Sequence, residues 1–167
     1  TLLVMFKYLN KNFVTNFFII ISIFALDRFS KMYVIFQNEK NLSTELFESK
    51  YLNIDLIWNE GIAFGLFSSK NGLIYTFISV LILIVIIILL FLLMNSQNLK
   101  RFSYTMIIGG ALGNFLDRVL YKSVPDFIDI HFNDFHWFVF NFADVFISIG
   151  VVCLIFDEVF IQKETNE

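Results

Sequence analysis

Charge is scarce in this chain. Only 16% of its 167 residues are Asp, Glu, Lys or Arg, where soluble domains carry about 25%. Apolar residues make up 57% and aromatic residues 19%. A water-soluble fold of that composition would leave large apolar patches exposed and would aggregate. The single cysteine, Cys153, excludes an internal disulfide and a Cys-based zinc cluster, and is most simply a small packing residue. One proline and seven glycines leave little to interrupt a helix, apart from a cluster at Gly109, Gly110 and Gly113. Small residues there would let a neighbouring helix approach closely. The net charge of -3 is spread along the chain, and the absence of a basic stripe speaks against nucleic acid. No Gly-rich phosphate loop is present, and neither an internal repeat nor a low-complexity linker is visible. The first apolar run continues too far, with no A-x-A-like site after it, to read as a removable signal peptide.

What is present is a set of long apolar runs. About 20 such residues cross a bilayer core as a helix. Residues 71–94 form the strongest run, without a single charge. Three others are interrupted: 13–36 by Asp27, Arg28 and Lys31, 102–120 by Asp117 and Arg118, and 137–160 by Asp144, Asp157 and Glu158. The expectation is a mainly α membrane protein, one domain over 1–167 with four transmembrane helices. Its outer connections span about 37–70 and 121–136. Lys and Arg are denser near the short ends, at Lys7, Lys11, Lys100, Arg101 and Lys163, than in the longer connections. By the positive-inside rule both termini are cytoplasmic and both long connections lie outside.

Those connections carry alternating patterns. Leu52, Ile54, Leu56 and Trp58 fall on one face of an extended chain, with Tyr51, Asn53 and Asp55 on the other. Ile128, Ile130 and Phe132 alternate with Asp129, His131 and Asn133 in the same way. An open sheet edge cannot sit in lipid. A small extracytoplasmic β-sheet resting on the membrane surface is therefore expected.

Depth brings the acids together. At 1.5 Å per residue, Asp27 and Asp117 each lie roughly 21 Å along their outward spans, and Asp144 about 10 Å into the fourth. Asp126 follows the third span, where the chain re-enters the interface. Asp27 and Lys31 are spaced for an ion pair on one helix face. Asn114, Asp117 and Arg118 share a face, and Asn141 and Asp144 are three apart. A charge at mid-bilayer costs about 2.5–3.5 kcal/mol on insertion scales, so these groups should face the bundle interior. The ion pairs at Asp27/Lys31 and at Asp117/Arg118, cancelled locally or across helices, can simply fix helix register. Asp126 and Asp144 have no adjacent cation. Two close acids push each other's ionisation apart, which suits one to activate water and the other to protonate a leaving group. On spacing alone Asp126 also fits a solvated loop acid. His131 and His136 lack a third ligand in the pattern, so no metal site is expected.

Five segments then stand in a telling order: Leu26 to Lys31, Asn59 to Gly65, Gly109 to Arg118, Val124 to Asp129 and Phe140 to Asp144. Together they resemble lipoprotein signal peptidase (signal peptidase II), a family of bacterial inner-membrane aspartic peptidases. The resemblance implies an endopeptidase that cleaves prolipoproteins just before a diacylglyceryl-modified cysteine. It implies Asp126 and Asp144 as the catalytic pair, with Asn114, Asp117, Arg118 and Asn141 as support. It also implies Asn59 and Gly61 as shaping the substrate cleft, and Asp27 with Lys31 as a structural pair. It further implies contact with membrane lipids, binding of globomycin-like inhibitors, no cofactor, no metal, and a monomer with its site near the outer leaflet. Ile62 stands where the family commonly has a smaller residue, and Pro125 precedes Asp126.

Two other classes fit intramembrane acids. A proton-coupled carrier would show repeated halves or broken spans, and a purely structural subunit gives no reason for two unpaired acids at one depth.

Overall fold

The computed structural model describes residues 2–41, 45–61, 72–133 and 135–161. Residues 62–65 of the outer-loop motif, Lys70 and Lys163 lie outside them. Helix α1 (Leu2–Asn41) is followed by strands β1 (Glu45–Phe47) and β2 (Leu52–Asn59). Helices α2 (Gly72–Met94) and α3 (Asn98–Tyr121) come next, then strands β3 (Val124–Phe132) and β4 (Phe135–Phe140). Helix α4 (Phe142–Phe156) runs into a π-helical turn over Asp157–Ile161. The architecture is mostly helical with one small antiparallel sheet.

No glycine or proline interrupts Leu2–Asn41, so α1 is continuous. Its faces are inverted relative to a water-soluble helix. Ile20, Ile23, Asp27, Lys31 and Val34 are buried at helical spacing, while Phe13, Phe17, Phe18, Phe29, Tyr33 and Phe36 are exposed. A polar stripe turned inward and an aromatic face turned outward suit a hydrocarbon surrounding. The stretches Phe13–Lys40 and Tyr75–Met94 are long and apolar enough to cross a membrane. Helix α3 lies at the centre, packed on α1, α2 and α4. Its glycines allow this. A Cβ on Gly110 would collide with the carbonyl oxygen of Ala143 in α4, and one on Gly113 with the carboxylate of Asp27 in α1.

The sheet has the order β1-β2-β3-β4, each strand antiparallel to its neighbour. Alternation had marked parts of β2 and β3. Between them Leu52 pairs with Ile130, and Trp58 with Pro125, with a bulge between Ile54 and Ile57. Pro125 is the second residue of β3 and precedes the stretch Ile128–Phe132 that pairs with β4, so β3 is an edge strand there and a missing N–H is tolerated.

One boundary differs from expectation. Residues 137–140, read as the start of a fourth span, belong to β4, and α4 begins only at Phe142. The misread stretch, Trp137–Phe140, is continuously apolar and has no period to separate strand from helix. Asn133 at φ 52° turns the chain so that Phe132 pairs with Phe135. Asp144 therefore sits in the first turn of α4 rather than two turns below its start.

Candidate active site

Asn141 begins the site. It is the N-cap of α4, with its side-chain oxygen accepting from the Asp144 N–H at 3.1 Å. The Asp144 carboxylate accepts in return from the Asn141 N–H at 3.2 Å. This reciprocal capping box satisfies two helix-end donors and fixes both side chains. The remaining donor of Asn141, its Nδ2, reaches Asp126 Oδ1. One amide thus holds both acids, one from β3 and one from α4.

Each carboxylate has a further neutral partner. Asn59, at the end of β2, donates to Asp126 Oδ2 at 2.9 Å, and its oxygen accepts from the Gly61 N–H at 2.9 Å. Asn114 of α3 donates to Asp144 Oδ1 at 2.8 Å. Asp126 is 4% exposed. Burial above all, and then the nearby Asp144 charge, push its carboxyl up to about 6, against the Asn59 and Asn141 hydrogen bonds and the more distant Lys31. An acid poised there can hold a proton near neutrality.

Behind the acids lies a charged lattice. Lys31 Nζ donates to Asp27 Oδ2 and to Asn114 Oδ1, both at 2.8 Å. It also lies 2.7 Å from Asp117 Oδ2, an ion pair at an angle outside hydrogen-bond geometry. Asp117 pairs across to Arg28. Asp27 Oδ1 accepts from the Ala143 N–H of α4 at 2.9 Å. The side chains of Asp27, Lys31 and Asp117 are fully buried. Arg118 makes no pair with Asp117. Its guanidinium donates to the carbonyls of Asn114 at 3.1 Å and of Gly61 at 3.2 Å, and lies within electrostatic range of Asp126 and Asp144. Of the two expected arrangements for Asp117, cancellation across helices is the one found. The acids are also not isolated from cations, as spacing had indicated, because Lys31 and Arg118 converge on them from other turns and elements.

A groove of about 590 Å³ has Asp144 in its wall. Ile130, Trp137, Phe138, Phe140 and Ile149 supply much of its apolar lining. The arrangement offers two carboxylates with unlike surroundings, one buried and one facing an apolar groove.

Every residue singled out from sequence for the site therefore lies in this cluster: Asp126, Asp144, Asn59, Gly61, Asn114, Asp117, Arg118, Asn141, Asp27 and Lys31. Sequence reasoning passed over Arg28, whose partner lies 89 residues away, and no local spacing could have paired them. It also passed over Asp129. That acid stands with His131 and His136 as a third possible ligand, contrary to the expectation that none exists.

Residues 19–160 match the family model described as Signal peptidase (SPase) II. The chain belongs to the signal peptidase II family. The lipoprotein signal peptidase of Pelagibacter ubique (strain HTCC1062) is 49% identical over 158 residues, spanning 94% of this chain and 95% of that one. That of Anaplasma marginale (strain Florida) is 39% identical over 143 residues, 84% and 81% of the two chains. A solved bacterial membrane enzyme is 29% identical with a TM-score of 0.76, covering 92% of this chain and 91% of that one. As a signal peptidase II, the protein is a peptidase of a membrane-enzyme family, and its function lies in lipoprotein maturation.

Proposed function

We propose that this protein is an intramembrane aspartic endopeptidase that removes the signal peptide from diacylglyceryl-modified prolipoproteins, cutting just before the lipidated cysteine. Asp126 and Asp144 are the catalytic residues. The observation that carries this reading is the double hold of Asn141 on both acids, with Asp144 in the wall of an apolar groove.

A water held between the two carboxylates attacks the scissile carbonyl. The ionised Asp takes the water proton, and the protonated Asp gives its proton to the leaving nitrogen as the C–N bond breaks. The pair shares one proton before and after turnover, so no group outside the dyad is consumed. Which oxygen carries it is a property of the pair. Asn59, Asn114 and Asn141 hold the carboxylates, Arg118 sets the local potential, and Gly61 shapes the cleft entrance. Asp27, Lys31 and Asp117 keep three helices in register.

In this reading four helices span the bacterial inner membrane with both termini cytoplasmic, and the sheet rests on the outer surface. The lipid anchor of the substrate keeps the scissile bond at that depth, and the apolar groove receives the residues beside it. Globomycin-like cyclic peptides occupy the same cleft. The protein works as a monomer within membrane lipid.

The test is cleavage of a diacylglyceryl-modified prolipoprotein by purified protein in detergent. Asp126→Asn and Asp144→Asn should each lower turnover by about 100-fold or more, the usual weight of a general acid or base. Near-native turnover in either folded variant would overturn the dyad.

A further inference from the structure

The hairpin of β3 and β4 carries a second group of clustered polar side chains. Asp129 and His131 alternate on β3 and so share one face. His136 of β4 stands directly across from His131 in the ladder. The two imidazoles stack with centroids 4.9 Å apart. One atom each from Asp129, His131 and His136 falls within 4.8 Å of the others.

The polar accounting of this group is incomplete. Asp129 is 5% exposed, yet its Oδ1 has no hydrogen-bond partner among the described residues. Buried His131 Nδ1 also lacks one, lying 3.9 Å from Asp129 Oδ2. His136 Nδ1 approaches Asp129 Oδ2 at 2.7 Å. Leaving buried polar atoms unpaired destabilises the fold. Asp55, on the neighbouring strand, has a buried Oδ1 without a partner as well. Its carboxyl is pushed above the usual range by burial and by Glu45, Asp129 and Glu48 around it.

We propose that Asp129, His131 and His136 form a binding site for one divalent transition-metal ion of the zinc type. Two imidazoles and one carboxylate are the donor set that such ions favour, with a fourth position left to water. The ion would bring Asp129 and His136 slightly apart, to ligand spacing, and would give the unpaired nitrogen of His131 a partner. The His136 side chain is 54% exposed, which provides an entry path. The bound ion would clamp β3 to β4. Those strands carry Asp126 and lead into Asn141, so the clamp would stiffen the frame of the acids without entering the reaction.

The experiment uses the full chain in detergent, purified without a polyhistidine tag, stripped with EDTA and dialysed. Zn²⁺ is titrated calorimetrically, and Co²⁺ is followed by its visible d–d absorption. Saturable uptake of one ion per chain is expected, with a rise in melting temperature. His136→Ala and His136→Gln, both at an exposed position, should fold normally and weaken Zn²⁺ binding by more than about tenfold. His131→Ala combined with His136→Ala should abolish it. No saturable uptake by the folded protein, or uptake unchanged in the His136 variants, would overturn the site.

Discussion

The Lys31 ammonium donates to Asn114 Oδ1 at 2.8 Å, and so settles which end of that amide faces Asp144. A lysine has donors only, while an amide has one end of each kind. With its oxygen claimed by Lys31, Asn114 presents Nδ2 to the carboxylate. A buried cation on α1 thereby orients a donor on α3 toward an acid on α4.

Removing that donor is expected to weaken the site without unfolding it. A hydrogen bond to a charged group is worth about 1.5–3 kcal/mol. Asn114→Ala should lower kcat about tenfold to a hundredfold, with Asp144 losing its orientation. Steady-state kinetics on a lipidated substrate would check this. Unchanged kcat would mean the amide serves only packing.

Lys31→Met should be far more costly to the fold. It would leave Asp27 and Asp117 without the cation they share, and breaking a buried pair from one side costs about 3–5 kcal/mol. Thermal unfolding in detergent should show the loss. Restoring charge balance with Asp27→Asn in the same chain should recover part of it.

The pH dependence of stability should carry a signature of Asp126. Its folded value of about 6 lies above the ordinary 3.8. Between those pH values the folded protein holds a proton that the unfolded chain has released, so stability falls as pH rises. The cost is absent below about pH 4 and reaches about 3 kcal/mol above pH 6, at roughly 1.4 kcal/mol per unit. Asp126→Asn lacks this titration. Its melting temperature should exceed that of the parent above pH 6, and the gain should vanish toward pH 4. A constant difference across that range would place the cause elsewhere.

Gly110→Ala tests the contact between α3 and α4. The added methyl would meet the Ala143 carbonyl oxygen and would stand 2.9 Å from Ile147 Cγ1. Backbone cannot yield as a flexible side chain can, so the helices must part, at about 1–3 kcal/mol. Asp144 lies one residue beyond Ala143. Turnover should fall together with melting temperature.

Much of the site could be read from residue order because its parts are local signals. Asn141 and Asp144 are spaced as a capping box, and Asp27 and Lys31 as a helical ion pair. Distance in sequence hid the rest. Arg28 and Asp117 meet only once α1 packs on α3, and Arg118 turns to backbone carbonyls rather than to its neighbour. The end of strand β4, Trp137–Phe140, reads as helix from sequence because four consecutive apolar residues carry no period. Asp129 was passed over as a metal ligand because its closeness to His136 depends on the bulged hairpin register, which no motif spacing encodes.

The pairing of Arg28 with Asp117 sets a schedule for synthesis. Asp27 and Lys31 meet as soon as their own helical turn forms. Arg28 must wait for a partner 89 residues further along the chain. At about 5–20 residues per second, a ribosome needs roughly 4–18 s to make that stretch. For that interval α1 carries an orphan guanidinium, and α2 is made before relief arrives. The native lock between α1 and α3 therefore cannot close until α3 has been made.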